Sequence, residues 1–166
     1  MAELSIGLDL QYLFNLVNQR TLYIADQVDP SLNEMMIGKI PITNDEYDAF
    51  IVLARRGSVE VFKALSRLSF DLTQPFSFLR DAEGKDVAIQ YNFKTKDEQQ
   101  AAIMEPILAD HMQRAIVAFI VKEWLRTKQI NTSYYQTDAE EYDYCMKELR
   151  SLKGYSNRAK TSYNYF

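Results

Sequence analysis

His111 is the only histidine in the chain, and an imidazole that titrates near neutrality is the first group to test for acid–base or metal chemistry. Asp110 stands beside it and Glu105 six residues before it. On a helix, neighbours in sequence project in different directions, and Glu105 lies about 600° round from His111, so the three do not share a face. The Glu-x-x-His pairs that hold two irons inside a helical bundle are absent. His111 therefore reads as a partly exposed helical residue. Cys145 is also single, which forbids an intrachain disulfide, and one cysteine with one histidine falls short of a structural zinc set. The five glycines stand apart, at 7, 38, 57, 84 and 154, and form no phosphate-cradling loop. No Gly-x-Ser-x-Gly elbow and no Cys–His couple is present for nucleophilic catalysis. Asp138, Glu140, Glu141 and Asp143 offer carboxylates for hydrolysis, but at the start of a helix such acids complement the dipole. The expectation is a protein that is not an enzyme, with no catalytic residue, metal or cofactor.

The cations point elsewhere. Arg55-Arg56 falls mid-helix, where a solvated face is the simplest reading. Between Lys147 and Lys160 stand Lys147, Arg150, Lys153, Arg158 and Lys160 against the one acid Glu148. Tyr155 and Tyr163 flank the end of that stretch, a composition that can stack single-stranded bases between cations. The chain as a whole carries a net charge of −4, which argues against a general nucleic-acid binder and favours docking on an acidic neighbouring subunit. Gly154 reads as a helix stop. After it, Tyr155–Phe166 holds four aromatic residues and two cations with too few aliphatic ones for a core. Exposed aromatics at a chain end would be mobile and adhesive in water, so the segment reads as a docking arm. Its partner-binding residues are Tyr155, Arg158, Lys160, Tyr163, Tyr165 and Phe166, with the last three as anchors, since large aromatics bury much area with few rotors.

At 166 residues the chain is one domain by length. Its 47% apolar and 25% charged residues are those of an ordinary globular protein. Eleven Tyr and nine Phe are a surplus suited to surfaces that are wet when free and buried when bound. The longest aliphatic run, Ala115–Val121, spans seven residues where a membrane helix needs about twenty. The start, MAELSIGLDL, lacks a signal peptide's basic region and long apolar stretch. A soluble chain with no membrane partner is expected, and a reducing compartment fits the cysteine count.

The elements that must position these groups read as four helices with a strand pair inserted midway, one helical domain over residues 1–154. Asp9 can cap a helix to about Gln27, with Leu13, Leu16, Val17, Tyr23 and Ile24 inward. Asp29-Pro30 closes it. Thr43-Asn-Asp-Glu46 is a capping box; the helix after it carries Tyr47, Phe50, Ile51, Ala54, Val61, Leu65 and Leu68 on one stripe and stays in phase across Gly57. Near residues 76–93 the period changes to two, with Phe76 and Phe78, then Val87, Ile89, Tyr91 and Phe93, about a polar connector Asp81–Asp86: a β-hairpin. Two strands alone are marginal in water, so the hairpin packs on the helices or is completed by another chain. A second box, Thr95-Lys-Asp-Glu98, opens the longest helix, to about Lys128, with a kink or break near Met104 imposed by Pro106. Ile107, Leu108, Ala115, Ile116, Phe119, Ile120 and Trp124 make it the central pillar. Thr137-Asp-Ala-Glu140 caps the last helix, with Tyr142, Cys145, Met146, Leu149 and Leu152 inward. Ile116, Phe119, Ile120 and Leu149 are expected to be buried within one subunit.

Three segments together resemble small virion proteins of tailed phages and prophages of the Bacteroides type, in the head–tail connector or neck group. They are the Thr43-capped helix ending Ala64-Leu-Ser-Arg-Leu68, the pillar ending Ala118-Phe-Ile-Val-Lys-Glu-Trp-Leu125, and the closing helix Glu148-Leu-Arg-Ser-Leu152 with its basic, aromatic tail. The resemblance implies a mainly α, four-helix bundle-like connector fold with an inserted β-hairpin and an extended C-terminal arm. It implies a ring of like subunits, commonly about twelve, made in the bacterial host cytoplasm and built into the virion neck. Portal and tail or neck proteins would be its neighbours, and DNA would meet it only by passing through the channel. The hairpin departs from the simplest all-helical connectors. A cytosolic helical adaptor or regulator with no virion role is the alternative reading.

Overall fold

A computed structural model describes residues 2–28, 37–65, 76–95, 97–130 and 133–162, with side chains to Ser151. In chain order these form β1 (Ala2–Asp9), α1 (Leu10–Gln27), a 3-10 turn (Asn44–Glu46) leading into α2 (Tyr47–Leu65), β2 (Phe76–Arg80), β3 (Asp86–Thr95), α3 (Glu98–Thr127) and α4 (Ser133–Ser162). The architecture is mainly helical with a small antiparallel sheet, as expected. The sheet, however, has three strands in the order β1-β3-β2. It is the chain's own N-terminus that completes the hairpin, pairing with β3 from Ala2↔Thr95 to Asp9↔Ala88. Leu4, Ile6 and Leu8 are buried while Glu3, Ser5, Gly7 and Asp9 between them are exposed, the period-two pattern of a half-buried strand. On the exposed face Ser5 Oγ donates to Asn92 Oδ1 at 2.9 Å, and Gln90 Nε2 donates to Ser5 Oγ at 2.6 Å.

Asp9 ends β1 and caps α1 as expected: its Oδ1 accepts the Tyr12 N–H at 2.6 Å. Leu13, Val17 and Ile24 turn inward together with Phe14 and Thr21. Tyr23, expected inward, is 51% exposed, because helical phase turns it well away from the face that Leu13, Val17, Thr21 and Ile24 share. Its ring instead meets the edge of Tyr134 on α4. The Thr43 capping box forms, with Thr43 N–H donating to Glu46 Oε2 at 2.9 Å. α2 then runs unbroken across Gly57 to Leu65; Asp29-Pro30 and Leu68 lie outside the described residues. A strap between α1 and α2 is sealed by Trp124, whose Nε1 donates to Ile40 O at 2.8 Å, and by Asn18, whose Nδ2 donates to Ile42 O at 2.6 Å.

The hairpin turn follows its chemistry. Asp81 Oδ1 accepts the N–H groups of Glu83 and Lys85, each at 2.9 Å, and Gly84 adopts φ +79°, where a Cβ is penalised. β2 meets β3 with Phe78 opposite Ile89 and Phe76 opposite Tyr91, and the register shifts between Leu79 and Arg80. That shift takes Val87 out of the alternation, so it is exposed whereas Ile89, Tyr91 and Phe93 are buried as expected.

Three expected helix boundaries move. α3 is capped by Asp97, whose side chain accepts the Gln100 N–H at 2.8 Å. Thr95 stays in the sheet opposite Ala2 and donates its hydroxyl to Ala2 O at 3.2 Å. α3 continues through Pro106 without a break, and Ile107 faces outward at 41% exposure. α4 opens at Ser133, so Thr137 is interior and its hydroxyl donates back to Ser133 O; Tyr134 and Tyr135 pack against the core and draw the start forward. At the other end α4 runs through Gly154 to Ser162. One helical glycine disfavours the helix by only about 1 kcal/mol, so it does not stop it. The core joins every layer: Leu4, Leu13, Phe50, Ile89, Met112, Ile116, Ile120 and Leu149 are all buried in it, and Phe119 is buried beside it.

Candidate functional site

The titratable groups gather where α1, α3 and α4 meet. An open cleft of about 510 Å³ is lined by Arg20, Thr137, Asp138, Glu140, Glu141 and Tyr144. Asp138, read from the sequence as a dipole partner at a helix start, is instead buried within α4. Both its oxygens accept from Arg20, Nε and Nη2, at 3.2 Å. Burial lifts its carboxyl above the ordinary carboxylate range, and Arg20 offsets only part of the rise. A turn further on, Arg114 of α3 donates from Nε to Glu141 Oε1 at 2.8 Å and from Nη1 to Asp110 Oδ2 at 3.3 Å. These bonds, the one to Glu141 above all, hold its guanidinium more firmly protonated.

His111 enters the same lattice, its Nδ1 3.3 Å from Asp110 Oδ2 and its ring centroid 6.4 Å from that of Tyr144. The imidazole and carboxylate thus touch despite being neighbours in sequence, but Asp110 is shared with Arg114. Glu105 is not among their contacts. Cys145 is buried, with Sγ 3.5 Å from Glu141 Oε1. Burial and that carboxylate push its thiol up to about 12, so it carries almost no thiolate for attack near neutrality. Among the described residues no three His, Cys, Asp or Glu side chains come together to hold a metal ion. The arrangement pairs cations with acids across three helices, and its chemistry is that of a staple.

Arg55 and Arg56, expected to be solvated, each hold an acid. Arg55 Nε donates to Asp86 Oδ2 at 2.8 Å, and Arg80 Nε to Asp86 Oδ1 at 3.1 Å. Burial works to raise the Asp86 carboxyl, but the two guanidiniums together outweigh it and hold it below the usual range. One carboxylate at the turn end of the hairpin thus clamps β3 to α2. Arg56 reaches Glu123 of α3 at 3.5 Å, beside Arg126 at 2.5 Å. Beside Arg55 and Arg56 an open groove of about 440 Å³ is lined by Val59, Glu60, Phe119 and Tyr142. Lys122 Nζ stands 4.2 Å from the Tyr142 ring centroid, a cation–π contact worth about 0.5–1 kcal/mol at an exposed site.

Of the six residues assigned to the docking arm, Tyr155, Arg158 and Lys160 fall on the helical backbone of α4 with side chains outside the described residues, and Tyr163, Tyr165 and Phe166 lie outside them entirely. Sequence reasoning missed the Arg55–Asp86 and Arg20–Asp138 pairs, which span 31 and 118 residues; no local pattern marks them. It also missed the outer edge of β1, although the alternation Leu4, Ile6, Leu8 was there to be read. No helix among the described residues is long and apolar enough to cross a membrane. Comparison with family models, curated proteins and solved structures finds no match.

Proposed function

We propose that this protein is a structural virion protein of a tailed phage, a head–tail connector or neck ring subunit bridging portal and tail. Its segment Tyr155–Phe166 docks each subunit on a neighbour. The observation that carries this reading is the composition of that segment, four aromatic residues and two cations placed beyond Leu149, the last residue of the described core. The three segments that resemble connector proteins support it; their described parts belong to α2, α3 and α4. In this role the ion pairs among α1, α3 and α4 give the subunit a rigid body, and rigidity keeps an interface preformed.

The test is the mass of the purified protein by light scattering, alone and mixed with the portal protein of the same virus. A ring of many copies in either sample is expected. A monomer or dimer in both overturns the reading and leaves a helical adaptor in its place.

A further inference from the structure

We infer that the outer edge of β1 is the acceptor of the docking arm, taking residues Arg158–Phe166 of a second copy as a fourth strand. The inference deepens the proposed function and rests on it. Three observations carry it. The first is the edge itself. β1 is paired along all eight residues, but only on its β3 side, and among the described residues no strand lies on its other side. An unpaired edge presents a row of free N–H and C=O groups, which proteins blunt with proline, lysine, a bulge or a covering loop. β1 has no proline, lysine or register shift, and its only charges are the acids Glu3 and Asp9, which guard the edge against another acidic strand but not against a cationic one. Glu3, Ser5, Gly7 and Asp9 are all exposed, and a Cβ added at Gly7 would meet nothing within 4 Å.

The second observation is the alternation of the arm. From Arg158 the sequence reads Arg, Ala, Lys, Thr, Ser, Tyr, Asn, Tyr, Phe. Taken as a strand, Arg158, Lys160, Ser162, Asn164 and the final Phe166 fall on one face and Ala159, Thr161, Tyr163 and Tyr165 on the other. β1 has the same two-sided character, polar at Glu3, Ser5, Gly7 and Asp9 and apolar at Leu4, Ile6 and Leu8. An added strand must continue both faces of a half-buried sheet, and residues 158–165 do, with Phe166 ending the segment on the polar side.

The third is charge. The polar face of β1 carries Glu3 and Asp9 and no cation; that of the arm carries Arg158 and Lys160 and no acid. Opposite charges across paired strands favour the pairing and like charges oppose it. Self-pairing of two β1 strands centred on Ile6 would set Glu3 against Asp9, which disfavours that occupant. Docking requires the arm to leave the helix that carries it to Ser162. Gly154, with the poorest helix propensity short of proline, is the place for α4 to end when the arm is taken up.

The experiment reads amide hydrogen exchange across residues 2–9 of the full chain by mass spectrometry, as a synthetic peptide spanning residues 157–166 is added. Saturable protection is expected on alternate β1 amides, those pointing away from β3, slowed at least tenfold. A peptide of the same composition in scrambled order should give none, and Glu3→Lys should weaken binding about tenfold, with Glu3→Gln between. No protection at millimolar peptide overturns the inference, as does equal protection by the scrambled peptide, which would make the edge indifferent to sequence. β1 amides that are protected on self-association in the full chain, but insensitive to the peptide, would assign the edge to a second β1 and also overturn it. A ring that forms with β1 amides still open would overturn this acceptor and leave the ring intact, so the two claims fail separately.

Discussion

Gly57 of α2 and Phe119 of α3 fit together because residue 57 has no side chain: a Cβ there would sit 2.9 Å from Phe119 Cδ1. The pillar helix thereby approaches α2 closely and drops an aromatic ring against its backbone. Gly57→Ala should destabilise the protein by about 1–3 kcal/mol through overpacking, although alanine is the better helix former by about 1 kcal/mol. Phe119→Ala should lose about 3–5 kcal/mol. With the ring gone, Gly57→Ala should turn stabilising by about 0.5–1 kcal/mol. A urea double-mutant cycle checks this; the same sign in both backgrounds would refute the contact.

The Asp86 clamp predicts a pH dependence. Its carboxyl is held below the ordinary aspartate value in the folded protein, so the folded state binds that proton less tightly than the unfolded chain does. The stability it contributes is present above pH ~4 and lost as pH falls through its folded-state value. Asp86→Asn should lose about 1–3 kcal/mol near neutrality, and the gap from wild type should close in acid. A gap unchanged down to about pH 2 would contradict the clamp.

Asp138 carries the opposite sign. Burial raises its carboxyl above 3.8, so its charge opposes folding once pH exceeds the unfolded value, and protonation relieves the penalty as pH falls through the folded one. Arg20→Ala leaves that charge without its bidentate partner and should lose about 1–3 kcal/mol near neutrality. The loss should shrink in acid, as the stranded carboxyl takes its proton. Urea melts at a series of pH values read this directly; a loss that grows toward acid would be the wrong sign.

The shifted start of α3 is checked by its cap. Asp97→Ala should cost about 1 kcal/mol. If the substitution proves neutral in urea melts, Asp97 is not the cap.

What could be read from the sequence was local. Asp9, the Thr43–Glu46 box and the Asp81–Lys85 turn are decided within four residues, and the pillar stripe from Leu108 to Trp124 within α3, so each stood in the pattern, Ile107 excepted. The two remaining boxes matched in letters but not in place. Thr95 is held in the sheet by Ala2, and the start of α4 is set by the packing of Tyr134 and Tyr135. Such long-range contacts override a four-residue signal. β1 pairs with a strand more than 75 residues downstream, and the Arg20–Asp138 pair spans 118; nothing in either segment names its partner. The arm's composition was legible, but its helical backbone to Ser162 was not, because glycine at 154 suits both a helix interior at modest cost and a helix end.

The most direct test of the assembly account compares the full chain with one ending at Gly154, by light scattering and by thermal melting followed by circular dichroism. The shortened chain should lose the helical signal of its last two turns, melt as a subunit within a few degrees of the full chain, and fail to assemble under conditions where the full chain forms a ring. A shortened chain that assembles as well as the full one would contradict the arm's role. One that no longer folds would make residues 155–166 part of the subunit's own core.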